Sequence, residues 1–586
     1  MQQWLLINKK ADFKAIGEKF HIDQVTARII RNRDVIEEAD IRKYLSGDLT
    51  DLYNPHLLKD GERLVEILVE KIQSQQAIRI IGDYDIDGVM ATYVLKTALD
   101  RCGAKVSIQI PDRIHDGYGL NLRLIEKAKE DGIDTILTCD NGIAAMEEIA
   151  YAKDLGMTVL VTDHHEIPYE EVEGERIYKE SQADAIVNPH QQDCAYPYKY
   201  LCGAAVAWKV VCLLYERMGV SAEVAEELLE NVAFATVGDI MPLTDENRIL
   251  VKEGIKRIRK TKNIGMKALI AQCGLETSQI DAFHFGFVLG PCINASGRLD
   301  TAKRALELFF QTNPAYAMQI ANELVVLNEE RKELTKEGVA AAVRFYEENN
   351  CEKDDVLVIY LPEVHESIAG IIAGRIREKY YKPTFVLTKA EDGAKGSGRS
   401  TEEYSMYEEM CKCQELFSKF GGHPMAAGLS LPEENIPVFR EKINQLAHLS
   451  EMDKKQKVRI DVPMPMGYVT LDLVREFSVL EPFGKDNTKP VFADRNIRVK
   501  RMWIMGKNRN VLKLSLETEQ GVIVTGIHFG DIENFCAYIE QKFGKQQLEA
   551  AFEGRQQDIV LSMIYFPKIN SFRGVDELQF EIQCYQ

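Results

Sequence analysis

Between residues 77 and 162, four short β-rich runs (AIRIIG, VSIQIP, TILTC and MTVLVT) alternate with helical stretches, one from Gly88, one near Asn121 and one through Ile149. Strands that return to one sheet through helices run parallel, and such crossovers are right-handed in nearly all proteins. The run therefore predicts an α/β lobe built on a parallel sheet. Asp83–Asp87, Asp140–Asn141 and Asp163–His165 each follow one of these strands directly. Sites in open α/β sheets form beyond the carboxyl ends of the strands, so three clusters far apart in sequence are expected to converge in space.

The chain has 586 residues, enough for three to five domains at roughly 100–200 residues each. From Tyr200 to about Gln311 the pattern is mostly helical and carries two marked segments, ATVGDIMPL and CINASGRLD. Residues 315–349 contain few helix breakers and predict one extended helix, a connector between lobes. A second α/β pattern begins at Val356: VLVIYL, a helix over 367–379, TFVLT, then the glycine-rich segments GAKGSGRS and GGHPMAAG. The polar stretch SEMDKKQKV marks a boundary, and the short β-rich runs after it predict a small barrel or sandwich. The expected organisation is thus an N-terminal segment (1–50) without identifiable chemistry, a catalytic α/β domain (51–313), a connecting helix (314–350), a second α/β domain (351–450) and a C-terminal β-barrel domain (451–586).

A net charge of −19 argues against a protein that coats nucleic acid through bulk positive charge. A local basic channel stays compatible with it, because salt screens exposed charges beyond about 10 Å. The opening residues MQQWLLINKKADF lack the ordered regions of a signal peptide, and no stretch approaches the roughly 20 apolar residues that cross a bilayer. The twelve cysteines are scattered without a CxxC. A reduced, cytoplasmic location without a membrane partner is the expectation.

Asp83, Asp85 and Asp87 place three carboxylates within five residues after an apolar strand. In extended backbone alternate residues share a face, so the three charges would repel one another unless a divalent cation relieves them. An acidic turn or helix cap is the other reading of this segment, and of Asp140 and Asp239 taken singly. Asp163-His164-His165 is more specific in a chain with 11 histidines, offering a metal ligand, a residue to orient it and a proton or charge donor. Together the four clusters supply Asp and His in two-metal proportion, a donor set suited to phosphoester hydrolysis.

These segments resemble the DHH phosphoesterase superfamily: DYDID its first motif, Asp140 its second, Asp163-His164-His165 its third and Asp239 its fourth. The similarity extends to the superfamily's single-stranded-DNA-specific exonucleases, through PDRIHDGYGL, NPHQQDCAYPYKYLCG, INASGRL, LNEERKEL, KGSGRS, FGGHPMAAGLSL and LEPFGKDNTKPVF, in family order across roughly residues 50–495. The resemblance implies two Mn²⁺ or Mg²⁺ ions held by Asp83, Asp85, Asp87, Asp140, His164 and Asp239, with Asp140 bridging them. It implies that His165 faces the scissile phosphate and that Asp163 orients a histidine. It places Arg113 and Arg298 near the 5′ end of a bound strand.

Ser397 and Arg399 among the glycines of KGSGRS can form an anion-binding nest with a bidentate phosphate contact, a flexible surface turn being the other reading of the segment. Gly421, Gly422 and His423 permit close backbone approach to a ligand, although glycines needed only for tight turns explain the pattern too. Between Lys485 and Lys513 nine Lys and Arg face two Asp, and Phe483, Phe492 and Trp503 interleave with these charges, as in barrels that hold single strands by charge and stacking, although any one aromatic is more often core. The expected activity, from the resemblance, is metal-dependent 5′ to 3′ hydrolysis of single-stranded DNA to 5′-mononucleotides in recombination and repair. A helicase and the single-strand-binding protein are the implied partners. The alternatives are a phosphodiesterase of nanoRNA or cyclic dinucleotides and an inactive single-strand-binding scaffold.

Overall fold

The four expected strands form at Ala77–Ile81 (β1), Lys105–Gln109 (β2), Thr135–Cys139 (β3) and Thr158–Thr162 (β4), and a fifth follows at Ala185–Val187 (β5). All pairings are parallel, in the order β2-β1-β3-β4-β5. Ile80, Ile81, Ile136, Leu137, Val159 and Leu160 are fully buried, because helices cover both faces; that is why these strands read as continuous apolar runs rather than alternating ones. The sheet order reverses between β1 and β3, and the crevice beyond their carboxyl ends is the topological switch point of such a fold.

The computed structural model describes residues 2–112, 119–172 and 175–586. Contacts divide them into two compact units, Leu52–Gln456 and Gln2–Asp51 together with Lys457–Gln586. In the first unit, helices Ile86–Arg101 (α1), Gly203–Met218 (α2), Leu229–Gly238 (α3) and Gly290–Leu299 (α4) surround the carboxyl ends of the sheet. The extended helix runs over Pro314–Glu348 (α5), started by Pro314 and by Asn313, whose Oδ1 accepts from the Ala315 amide at 2.9 Å. Ala317, Ile320, Ala321 and Leu324 are buried at helical spacing, and further along Gly338 lies so close to the next helix, Glu366–Tyr380 (α6), that a Cβ would meet Ile372 Cδ1 at 2.4 Å.

The second sheet contains Leu357–Tyr360 (β6), Thr384–Ala390 (β7), Gly393–Arg399 (β8), Lys419–His423 (β9) and Ala426–Leu431 (β10) in the order β9-β10-β8-β7-β6. One face packs Val386 against Ile368 and Ile372 of α6; the other packs Phe385, Leu387 and Leu429 against Phe439 and Ile443.

In the second unit, Val462–Pro463 (β11), Phe492–Met505 (β12), Val511–Glu517 (β13), Ile523–His528 (β14), Val560–Phe572 (β15) and Val575–Tyr585 (β16) form one sheet, and the antiparallel pairing of β12 with β15 closes it on itself. Residues 2–51, expected as a separate segment, belong to this unit. Gln3–Leu6 pairs in parallel with Lys457–Ile460, Val25, Ile29 and Ile30 enter the barrel's core, and Arg33 Nη1 meets Asp461 Oδ1 at 3.1 Å in a buried ion pair. An amphipathic helix as short as Gln24–Asn32 needs such a partner for its apolar stripe.

One buried charge in the first unit serves no visible catalytic purpose. Glu230 on α3 is 7% exposed, its Oε1 accepts from Thr261 Oγ1 at 2.7 Å, and burial pushes its carboxyl from 4.5 up to about 7. The folded state therefore favours the protonated form, and the stability this confers is present below pH 4.5 and lost as pH rises through 7. Glu230→Gln is expected to raise the calorimetric melting midpoint at pH 8, relieving a cost of about 3 kcal/mol, and to change it little near the acid end. An equal shift at both pH values would contradict this origin.

Candidate active site

The loop leaving β1 turns directly into α1, and each of its carboxylates is held differently. Asp85 is the N-cap of α1, its Oδ1 accepting from the amides of Asp87 and Gly88 at 2.9 and 3.1 Å. Asp87, fully buried, accepts from the Gly203 and Ala204 amides at 2.6 and 2.7 Å, so the N-terminus of α2 fixes the orientation of its carboxylate. Gly203 also sets how close that helix comes to β3: a Cβ there would lie 2.7 Å from Asp140 Oδ1. Asp140 itself has a left-handed backbone, φ 61°, and is 3% exposed.

His164 Nε2 lies 3.1 Å from Asp140 Oδ1, 3.6 Å from Asp87 Oδ2 and 3.8 Å from Asp239 Oδ2. Asp239 is the C-cap of α3, so this residue both ends a helix and faces the cluster. Three sets of donor atoms lie within 4.8 Å of one another: Asp83, Asp85 and Asp140; Asp87, His164 and Asp239; Asp140, His164 and His165. The electrostatics follow from this crowding. Burial and the charges of Asp87 and Asp85 push the Asp140 carboxyl well above its ordinary range, and burial with Asp87 raises that of Asp85. Burial pushes the His164 imidazole down, toward the neutral form that ligates metals.

Asp163 does a different task. Its Oδ1 accepts from the amides of His164 and His165 at 2.7 and 3.1 Å and meets His165 Nδ1 at 2.7 Å, while Oδ2 accepts from the Ile143 amide at 2.9 Å. Burial opposes a charge on His165, yet the bond to Asp163 and the carboxylates of Asp239 and Asp87 outweigh it and hold the ring up at about 9. Asp163 thus aims a cationic, exposed imidazole and does not itself enter the three donor sets.

Beside the cluster a cavity of about 210 Å³ is lined by Tyr84, Asp85, Ile86, Gly238, Asp239, Ile240, Asn294, Gly297 and Arg298. Asn294 Oδ1 accepts from the Ile86 amide at 2.8 Å, tying α4 to the carboxylate loop. Arg298, four residues along the same helix, donates from Nη1 to the Ser367 carbonyl at 2.8 Å and so links this site to the first turn of α6 in the second lobe. There, Arg399 packs across Gly370 of α6, where a Cβ would lie 2.8 Å from its Nη2. Arg399 makes no ion pair among the described residues, and both burial and Arg377 disfavour its charge. Cross-strand register puts Arg399, Ala426 and His423 in one row and Ser397, Gly428 and Gly421 in the next, so these residues share the α6 face of the sheet.

Models of three domains match the chain: the N-terminal domain of the DHH family over residues 77–236, the DHHA1 domain over 353–449 and the RecJ OB domain over 460–584. The chain is 31% identical over 594 residues to the single-stranded-DNA-specific exonuclease RecJ of Escherichia coli K12, covering 94% of this chain and 98% of that one. The chain belongs to the RecJ family. Bacillus subtilis RecJ is 32% identical over 525 residues, which cover 89% of this chain but 65% of the longer relative. Among solved structures, Thermus thermophilus RecJ in complex with Mn²⁺ superposes with a TM-score of 0.81 at 24% identity, over 100% of this chain and 79% of that one. A manganese-bound exonuclease RecJ gives 0.57 at 30% identity, over 66% of this chain and 94% of that one.

In this RecJ-family chain the donors suit a divalent cation. They are carboxylate oxygens and a neutral imidazole, buried together with mutual repulsion that a cation relieves. Of the residues expected from sequence, Asp83, Asp85, Asp87, Asp140, His164, His165 and Asp239 come together, Arg298 borders them, and Ser397, Arg399, Gly421 and His423 share one face of the second sheet. Arg113 lies outside the described residues. Gly422, at φ 155°, answers to the fold, since a Cβ would lie 2.5 Å from the Ala426 carbonyl oxygen. Ser400, also within KGSGRS, is buried and donates to the Tyr404 carbonyl at 2.6 Å.

Asn294, Asn188 and the Gly203-Ala204 amides were not expected in these roles. Asn188 Nδ2 donates to the His165 carbonyl at 2.9 Å. Asn294, Asn188 and Gly203 lie in segments given above, INASGRL and NPHQQDCAYPYKYLCG, where a small or amide residue beside a charged cluster is the available signal; Ala204 follows directly.

In the barrel unit the aromatics of the basic stretch divide. Phe492 is buried core, stacked on Phe477 at 5.3 Å, whereas Trp503 has Arg501 and Lys513 over its ring at 5.0 and 5.9 Å. Arg498 pairs with Asp558 at 3.3 Å and Lys500 with Glu517 at 3.3 Å; Arg501, Lys507, Arg509 and Lys513 have no ion pair among the described residues.

Proposed function

We propose that this chain is a single-stranded-DNA-specific exonuclease that hydrolyses DNA from the 5′ end to 5′-mononucleotides, using Mn²⁺ or Mg²⁺, in DNA recombination and repair. The observation that carries the reading is the Arg298–Ser367 link, which joins the carboxylate-histidine cluster to the face bearing Arg399, Ser397 and Gly421. Asp83, Asp85, Asp87, Asp140, His164 and Asp239 would hold two divalent ions, with Asp140 common to both. When bound, the ions supply Lewis acidity at the phosphoryl oxygens and a water acidic enough to ionise at neutral pH.

His165, held cationic by Asp163, presents positive charge where negative charge grows on the phosphoryl group. Arg399 and the exposed backbone at Gly421 receive phosphate oxygens on the second lobe, and Arg298 stands near the strand's 5′ end. Requiring a terminal phosphate there makes the enzyme start at an end. The unpaired cations beside Trp503 support the barrel as the holder of the following strand.

A reduced cytoplasm suits the twelve free cysteines, and among the described residues no helix is long and apolar enough to cross a membrane. A helicase and the single-strand-binding protein are proposed as partners on family resemblance.

The test is Mn²⁺-dependent digestion of a 5′-phosphorylated, 3′-labelled single strand beside the same sequence as a duplex and a dinucleotide RNA. Shortening of the single strand alone is expected. Cleavage of only the dinucleotide would move the assignment to a small-substrate phosphodiesterase, and binding without cleavage to a scaffold.

A further inference from the structure

Helix α3 ends with the hydrogen bonds of a Schellman cap: the Ile240 amide donates to the Val237 carbonyl at 3.2 Å and the Met241 amide to the Thr236 carbonyl at 3.0 Å. In that cap the residue after the C-cap is left-handed, a position glycine fills by default because a Cβ is disfavoured there. Here it is isoleucine, with φ 56°. A β-branched side chain in this region is an outlier, and burial does not compensate it, since Ile240 is 67% exposed. The residue is adjacent to Asp239 and lines the cavity that also contains Tyr84, Asp85 and Arg298. Residues kept in an unfavourable conformation cluster at functional sites, where the side chain has work that a relaxed residue would not perform.

We propose that Ile240 is a substrate-contacting residue: its side chain forms an apolar shelf against the base of the nucleotide whose phosphate enters the metal cluster. The proposal rests on the exonuclease reading. The cavity has the matching chemistry, with Arg298 and the carboxylates that would hold the cations (Asp85, Asp239) at the phosphate end and Tyr84 and Ile240 for a flat, weakly polar ring. An aliphatic shelf touches the face of a base rather than its hydrogen-bonding edge. It therefore holds any of the four bases, as an enzyme that consumes a strand of arbitrary sequence requires.

The test compares wild type, Ile240→Gly and Ile240→Val on a 5′-phosphorylated single strand and on the same strand with abasic analogues at its two 5′-terminal positions. Removal of the first nucleotide is followed with Mn²⁺. For Ile240→Gly, kcat/KM on the ordinary strand is expected to fall about tenfold, the lower end of what loss of an apolar contact costs in an enzyme pocket. Its rate on the abasic strand should match wild type, Ile240→Val should resemble wild type on both, and the melting midpoint of Ile240→Gly should stay level or rise as the cap relaxes. An unchanged rate on the ordinary strand, an equal loss on both strands or a lowered melting midpoint would each overturn the proposal while leaving the exonuclease reading intact. Failure of the wild type to shorten any single strand would overturn that reading itself.

Discussion

Asp140→Ala is expected to abolish strand hydrolysis, lowering kcat by about 10³-fold or more, as for loss of a group that stabilises developing charge, while leaving the metal-free protein at least as heat-stable as wild type. The two effects have one cause. Asp140 and His164 each belong to two of the three donor sets, but of these two only Asp140 joins the Asp83–Asp85 carboxylates to His164, so its loss would disable both proposed ion positions, whereas Asp83, Asp85, Asp87 and Asp239 each serve one set. Without a cation the same carboxylate is a liability: burial and the charges of Asp87, Asp85 and Asp239 all push its acidity down. Removing it relieves repulsion and takes nothing from an apolar core. Mn²⁺ should raise the melting midpoint of wild type, since a ligand at one hundred times its Kd adds about 2.7 kcal/mol to the folded state. That increment should shrink sharply in the variant. Asp140→Asn, close in shape, should behave like Asp140→Ala, because the charge and the second carboxylate oxygen matter rather than the volume. A variant that keeps its activity, or gains the full Mn²⁺ increment, would remove Asp140 from the centre of the site.

The parallel sheet and the convergence of its loops were legible because they rest on local patterns. Strands buried on both faces must be apolar throughout, and carboxylates at their ends stand out against them. The contacts that complete the site have no such local signature. Ile86 and Asn294 are 208 positions apart, and Arg298 meets Ser367 through a backbone carbonyl, which no side chain announces. Residues 2–51 looked inert for the same reason: the amphipathic helix at Gln24–Asn32 is visible, but Arg33 finds Asp461 428 positions away. Glycine was ambiguous for a different reason. Gly203, Gly421 and Gly422 look alike in sequence, yet crowding by Asp140 fixes the first, the Ala426 carbonyl fixes the third, and among the described residues nothing lies within 4 Å of a Cβ at the second.

That open space makes Gly421 the sharpest test of the second lobe. Gly421→Val is expected to leave the fold as stable as wild type or slightly more so, because β-branched residues favour strands, position 421 needs no left-handed backbone and the new side chain meets no neighbour. Single-strand cleavage should nevertheless fall about 10²-fold, the loss that follows when a substrate is displaced by an ångström from its reactive position. The reasoning is one of exclusion. Gly421, Gly428 and Ser397 lie side by side on strands β9, β10 and β8, and among the described residues the only atom within 4 Å of a Cβ at Gly428 is the Gly396 carbonyl oxygen at 4.0 Å. Two adjacent glycines with room for side chains weaken a sheet for no structural return. In the proposed reading the return comes from a ligand that approaches the bare backbone, and the neighbouring Arg399, with no carboxylate partner among the described residues, suits an anion. Hydrolysis of a small activated phosphodiester with Mn²⁺ should be unaffected, since it needs the cluster at the end of β1 but not the second sheet. Equal loss on the small ester and the strand would mean that Gly421 supports the catalytic lobe. Unimpaired strand cleavage would mean that the DNA passes elsewhere.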